Sequence, residues 1–208
     1  MSSLFINEHP LVQSKLALLR DVNTKSKEFR ELVGEMASLL CYDAVREFKT
    51  KSIEVETPLG KAEGKTLEKE IGLVALLRAG IGMAEGIENM IPTAKVGHIG
   101  LYRDPNTLQP IEYFCKVPKD AENMHIFVLD PMLATGGTAS AAIQFLKERG
   151  VKDITCLCIV CGREGVQKLQ ADHPDVDIYA AALDRSITED GYIVPGLGDV
   201  GNRMYGTK

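Results

Sequence analysis

The strongest constraint on how this chain folds lies between His125 and Ala142, which reads His-Ile-Phe-Val-Leu-Asp-Pro-Met-Leu-Ala-Thr-Gly-Gly-Thr-Ala-Ser-Ala-Ala. Ile126 to Leu129 make an unbroken apolar run, the pattern of a strand buried on both faces in a parallel sheet. Pro131 cannot extend a hydrogen-bonded ladder, and Gly136 and Gly137 admit backbone conformations closed to other residues. Thr138 is a candidate cap for the alanine-rich helix behind it. The stretch predicts a strand, a tight loop and a helix start.

Such a loop gathers free backbone N–H groups and the positive end of a helix dipole around one point, which suits a phosphate. Asp130 stands at the carboxyl end of the strand, the end that faces the ligand crevice in open α/β sheets, where its carboxylate can accept hydrogen bonds from sugar hydroxyls. A Gly-Gly pair alone fits any strand-to-helix turn. The full succession of apolar run, terminal Asp, Thr-Gly-Gly-Thr and helix is much more specific, and describes a cradle for a ribose phosphate.

Asp130, Pro131, Met132, Leu133, Ala134, Thr135, Gly136, Gly137 and Thr138 resemble the phosphoribosyl pyrophosphate (PRPP) loop of type I phosphoribosyltransferases, in the form of their uracil branch. The wider family has two adjacent acidic residues where this chain has Asp130 and Pro131. That departure is similar to the uracil branch and weakens any transfer from the purine enzymes. The resemblance implies a mostly parallel central sheet flanked by helices, a projecting β-hairpin arm and a C-terminal hood loop.

The 208 residues, 45% hydrophobic and 25% charged, can bury one sizeable core. They read as a single domain with N-terminal helices at about 10–47, a PRPP-binding core at about 70–182 and a base-recognition segment at about 183–208. A net charge of −5 gives no basic excess, so neither a nucleic-acid face nor an anionic membrane face is expected. The N-terminal residues lack the basic start and apolar core of a signal peptide, and a cytoplasmic location is expected. Five cysteines in such a chain argue for reduced thiols, and Cys156, Cys158 and Cys161 read as small apolar residues of a buried strand, not as metal ligands. His9, His98, His125 and His173 show no ligand spacing.

Taken in order, the chain predicts a short helix within 7–21 and a longer one capped by Asn23 or Thr24, with Phe29, Leu32, Val33, Met36, Leu39 and Leu40 on its buried stripe. Ile53 and Val55, alternating with glutamates, read as a half-exposed strand closed at Thr57-Pro58-Leu59-Gly60. Ile71 to Leu77 is a second buried strand, ending at Arg78-Ala79-Gly80 before a helix reaching about Met90. An Arg at a strand end carries a fork of donors that matches a pyrophosphate. The strands Ala94–Arg103 and Ile111–Val117 flank the turn signal Asp104-Pro105-Asn106-Thr107 and predict a hairpin. Behind the loop come a helix to Gly150, the strand Ile154–Val160, the turn Gly162-Arg163-Glu164-Gly165, a helix to about Ala171 and the strand Val176–Ala182. This alternation implies right-handed crossovers and a parallel sheet. From Gly191 to Gly206 the chain is glycine-rich, yet it keeps the Tyr, Ile, Val and Met that disordered tails lack, and so reads as an ordered loop.

The resemblance carries further implications. Leu77 to Gly80 is similar to the family's pyrophosphate loop, with Arg78 at the matching position. Arg103 falls on the stem of an arm that contacts pyrophosphate and packs against a second subunit. The C-terminal segment is similar to the uracil-reading segment, with main-chain groups at Ile193, Gly198 and Val200, and Asp199 on the PRPP side. The implied activity joins uracil and PRPP to give UMP and diphosphate in pyrimidine salvage. Mg2+ would be held mainly through PRPP and water without dedicated ligands, the enzyme would be a homo-oligomer, and GTP could act as an effector. Other readings predict other features: an RNA-binding regulator a basic face, a transferase for another base a different C-terminal segment, and a Rossmann dehydrogenase Gly-x-Gly-x-x-Gly.

Overall fold

The computed structural model describes residues 2–103 and 110–207, apart from the side chains of residues 103 and 110. In order, the elements are β1 (Leu4–Ile6), α1 (Pro10–Arg20), α2 (Ser26–Ala44), β2 (Thr50–Thr57), β3 (Gly60–Leu67), β4 (Ile71–Leu76), α3 (Gly80–Met90), β5 (Lys95–Arg103) and β6 (Pro110–Lys116). They continue with β7 (His125–Leu129), β8 (Met132–Leu133), α4 (Gly137–Glu148), β9 (Ile154–Leu157), β10 (Val160–Gly162), α5 (Arg163–Asp172), β11 (Asp177–Ala180), β12 (Ala182–Asp184), β13 (Ser186–Ile187), β14 (Ile193–Val194) and α6 (Val200–Tyr205).

Because β4, and β7 after its first residue His125, are apolar throughout, they can be buried on both faces, and they lie side by side in the middle of a seven-stranded sheet of order β1-β11-β9-β7-β4-β5-β6. All neighbours are parallel except β5 and β6, whose intervening turn lies outside the described residues. One face packs on α1, α2 and α3 through Leu19, Phe29, Met36, Leu40 and Met83. The other packs on α4 and α5 through Ala142, Ile143, Leu146 and Leu169. From β4 the chain runs outward to β5 and β6, then returns to β7 and runs the other way. The order therefore reverses between β4 and β7, and the loops at their carboxyl ends border the crevice where such sheets bind ligands.

Several expectations are corrected. Lys25, not Asn23 or Thr24, precedes α2, and it makes no side-chain cap. Asn23 instead bonds Asp21, and the Thr24 hydroxyl donates to Leu18 O at the end of α1. The strand through Ile53 and Val55 is not half-exposed but exposed throughout, and it pairs with β3 in a separate two-stranded hairpin. Neither Ile154–Val160 nor Val176–Ala182 is one strand. Each breaks, and its second part joins β8 in a small parallel sheet of order β12-β10-β8. The reason starts at Pro131: with no N–H to offer, it ends β7, and its carbonyl turns to accept the amides of both Ile159 and Val160. Arg163 and Glu164 are exposed, as expected, but lie in the first turn of α5. The C-terminal segment is ordered and includes a helix, α6, that its glycines hide.

Candidate functional site

Asp130 follows the last residue of β7 at the crevice. It is partly buried, and its Oδ1 accepts the Met132 amide at 3.3 Å. Burial pushes its carboxyl up to about 6, against the opposing pull of that amide. A carboxylate this short of partners gains from hydroxyl donors. The loop then turns through Gly136, whose φ of +78° makes it the N-cap of α4. Thr138 is therefore a first-turn residue and not the cap, a correction that leaves the first-turn amides of α4 with no side-chain acceptor at the N-cap.

Asp130, Met132, Ala134, Thr135, Gly136 and Thr138 line a pocket of about 320 Å3 together with Ala139. Gly137 is half-buried in the first turn of α4, beside it. Pro131 and Leu133, expected in the same loop, are buried and support it from below: Leu133 joins the α4–α5 core. The far wall consists of Asp190 and Gly191 from the β13–β14 turn, which the sequence did not single out. Gly165 was also missed. It backs the loop so closely that a Cβ there would strike the carbonyl oxygens of Leu133 and Ala134. Its only signal was a glycine in what read as a turn.

Arg78 stands in the β4–α3 loop, after a cis Leu77–Arg78 peptide. Its guanidinium is exposed and meets neutral groups at long range, Thr207 Oγ1 at 3.4 Å and Asn202 Oδ1 at 3.5 Å, and it lies 5.9 Å from the centroid of the Tyr205 ring. Among the described residues no carboxylate forms an ion pair with it. The chain's C-terminal residues thus meet the β4–α3 loop. Gly201 separates Arg78 from Asp199: a Cβ there would lie 3.5 Å from Arg78 Nη2 and 3.4 Å from Asp199 Oδ1. Asp199 itself caps α6, accepting the Asn202 amide at 2.8 Å with Oδ1.

Of the remaining candidates, Ile193 is buried and pairs with Ile187, Gly198 is exposed with φ of +71°, and Val200 opens α6 with its side chain in the core. The backbone of Arg103 ends β5, and its side chain lies outside the described residues. Burial raises the thiol of Cys156, the Cys161 side chain and then burial raise that of Cys158, and Cys158 and Cys161 point at the carbonyls of Tyr179 and Ala182, as small core residues do. Ser140, Asp172 and His173 meet between α4 and α5 but form no nucleophile. The Ser140 hydroxyl donates to Asp172 at 2.5 Å, and His173 Nε2, 3.3 Å from that hydroxyl, carries a proton that it donates to Ser140 O at 2.9 Å, so the imidazole offers the hydroxyl no free lone pair. No group of three or more His, Cys, Asp or Glu among the described residues could hold a metal. No helix among them is long and apolar enough to cross a membrane.

Comparison with known proteins shows the family. The family model described as uracil phosphoribosyltransferase matches residues 6–207. Curated relatives bearing that name include those of Finegoldia magna, 57% identical, and Bacillus cytotoxicus, 56% identical, each aligned over the whole of both chains. The solved structure of a protein from Aquifex aeolicus superposes with a TM-score of 0.90 at 32% identity, over 97% of each chain. A hypoxanthine-guanine phosphoribosyltransferase from Bacillus anthracis shares the fold at a TM-score of 0.52 and 13% identity, over 76% of this chain and 80% of its own. With the family model spanning nearly every residue and full-length relatives above 50% identity, the chain belongs to the uracil phosphoribosyltransferase family.

Proposed function

We propose that this chain transfers the 5-phosphoribosyl group of PRPP to uracil, giving UMP and diphosphate in pyrimidine salvage. One observation carries the reading: an unpaired guanidinium, a carboxylate poised near pH 6 and an uncapped helix start border one crevice, and the C-terminal segment comes to the same place. The relatives' shared name supplies the base.

The glycosidic carbon loses diphosphate as a uracil ring nitrogen approaches, so positive charge grows on the ribose and negative charge on the leaving group. The work is therefore positioning and leaving-group stabilisation, and orientation alone can lower such a barrier by about 7–11 kcal/mol. The loop amides from Ala134 to Thr138 hold the 5′-phosphate, Asp130 accepts the ribose hydroxyls, and Arg78 with Arg103 takes the diphosphate. Asp199 faces PRPP from the other side, with the oxygen not used as a helix cap free to orient substrate or accept the uracil proton. Main-chain groups of Ile193, Gly198 and Val200 read the base edge.

Mg2+ fits this donor set, which offers isolated hard carboxylates and no ligand cage: an ion held mainly by PRPP oxygens and water would neutralise the diphosphate. The chain is treated as one domain, a cytoplasmic homo-oligomer with its hairpin arm at the subunit boundary, and open to a GTP effector. These assignments follow the family resemblance and not the crevice.

The direct test is UMP formation from uracil, PRPP and Mg2+ by the purified chain, with cytosine, orotate, hypoxanthine and adenine as parallel acceptors and with or without GTP. Uracil-specific, PRPP-dependent product is expected. Tight PRPP binding without product from any base would contradict the transfer. Arg78→Ala is expected to lower kcat by about 10²-fold or more, as loss of one oriented charge at a developing anion does, with an unchanged circular dichroism spectrum. A folded Arg78→Ala protein with normal kinetics would remove Arg78 from the site.

A further inference from the structure

Just before Gly198 the chain passes through Gly196 and Leu197, and two arginines from opposite ends of the sequence hold it there. Arg20, the last residue of α1, places Nη1 2.9 Å from Gly196 O and 2.8 Å from Asp184 Oδ2, with Nη2 2.7 Å from Asp184 Oδ1. Asp184, the last residue of β12, is buried, and its Oδ2 also accepts the Gly196 amide at 2.8 Å. One bidentate ion pair therefore satisfies both backbone polar groups of a single residue. Arg203 of α6 holds the next carbonyl from the other side, with Nη1 2.9 Å from Leu197 O and 2.6 Å from Leu19 O, Nη2 2.5 Å from Asp21 O, and Cζ 4.1 Å from the centroid of the Phe29 ring.

Fixing two consecutive carbonyls leaves the peptide that follows little freedom to rotate. Gly196 also has a positive φ of +57°, and a Cβ there would run into Ile193 O, so the turn back toward β14 is tight as well. Ordinary packing does not require so many charge-assisted bonds to main-chain groups at one turn. Leu197 and Val200 already anchor the segment in the core.

We infer that Arg20 and Asp184 are positioning residues for base recognition: through Gly196 they set the register in which the main chain at Ile193, Gly198 and Val200 meets uracil. The inference rests on the uracil-transfer reading and adds residues that touch no substrate. Backbone donors and acceptors discriminate bases only if held within a few tenths of an ångström, and a site that hydrogen-bonds a substrate loses both affinity and selectivity when its groups shift. None of the clamp's hydrogen bonds goes to the loop from Asp130 to Thr138, whose strand β8 is separated from β12 by β10, so the Michaelis constant for uracil is expected to respond more than that for PRPP.

The test compares Asp184→Asn and Arg20→Lys with the wild type for the Michaelis constants of uracil and PRPP, kcat, thermal unfolding and the uracil-to-cytosine rate ratio. Asn cannot match the bidentate charge, and Lys keeps the charge but not the fork that reaches Asp184 and Gly196 together. Expected are a rise of about tenfold or more in the Michaelis constant for uracil, less than twofold for PRPP, and a fall in the uracil-to-cytosine ratio. Arg20→Lys is expected to lie between the wild type and Asp184→Asn, and it carries the test if Asp184→Asn does not fold. A lower melting temperature with both constants unchanged, or both raised together, would reduce the pair to a structural brace and overturn the inference. A wild-type chain that forms no UMP would remove the transfer reading first, and this inference with it.

Discussion

Asp130→Asn is expected to lower kcat/KM for PRPP by about 10- to 100-fold while making the protein more stable at neutral pH. Both effects come from one cause. The carboxyl is pushed from 3.8 up to about 6 because burial disfavours its charge and only the Met132 amide opposes that. Between about pH 4 and 6 the native state holds a proton that the unfolded chain has released, so stability falls as pH rises through that window and stays low above it. The shift corresponds to at most about 3 kcal/mol, of which about 2 is expected to return in Asn, whose amide oxygen can still accept from Met132. For a chain of this size that is a rise of roughly 4–8 °C in melting temperature at pH 7.5, with the difference gone by pH 4. Ribose hydroxyls would favour the charged form, so the wild type should lose kcat/KM for PRPP as pH falls below about 6, and the Asn variant should lack that component. Titration of PRPP itself is common to both proteins and cancels in their ratio. An Asn variant no more stable than its parent at pH 7.5 would contradict the burial cost, and one with normal kcat/KM would remove Asp130 from the ribose.

The crevice was legible because its strands announce themselves. Ile126–Leu129 and Ile71–Leu76 are apolar without interruption, and Asp-Pro and Arg-Ala-Gly mark where they end. The small sheet was not legible. Strands of two or three residues such as Met132–Leu133 and Val160–Gly162 are too short to show a period, and they form because Pro131 ends one ladder and lends its carbonyl to the next. The hairpin partner Gly60–Leu67 reads Gly-Lys-Ala-Glu-Gly-Lys-Thr-Leu, with no buried face to leave a pattern. Helix α6 has one β-branched residue, Val200, and one glycine, Gly201, in its first turn and follows Asp199 as cap, with Val200 and Met204 packed beneath it, so its stability is tertiary. The helix cap at Gly136 overrode the usual preference for Thr because the chain must turn through a positive φ, where a β-branched residue is strained. Arg20 and Asp184 are 164 positions apart, and nothing in either neighbourhood pairs them.

Gly165→Ala is expected to raise the Michaelis constant for PRPP by tenfold or more and to leave that for uracil within about twofold. A Cβ at Gly165 would sit 2.6 Å from Leu133 O and closer still to Ala134 O, and both are backbone atoms that no rotamer change can move aside. Either α5 backs away from the loop or the loop is driven into its pocket. On the α5 side, Val166 and Leu169 are packed in the core, and Gly136 lies against Gly165 so that even its own missing Cβ would meet Gly165 O at 2.8 Å. The loop is the softer partner: its Met132, Ala134 and Thr135 are only partly buried, and its outer side is open pocket. Displacing Ala134 and Thr135 outward shrinks the space for a phosphate and tilts the first-turn amides of α4 that would bind it. Overpacking of this kind typically costs about 1–3 kcal/mol, so a melting-temperature loss of several degrees should accompany the kinetic change. Saturating PRPP should restore part of that loss, since a ligand that binds only the native state pulls the loop back. An Ala variant with parental PRPP kinetics would mean that α5 yields instead, and that Gly165 does not set the loop's position.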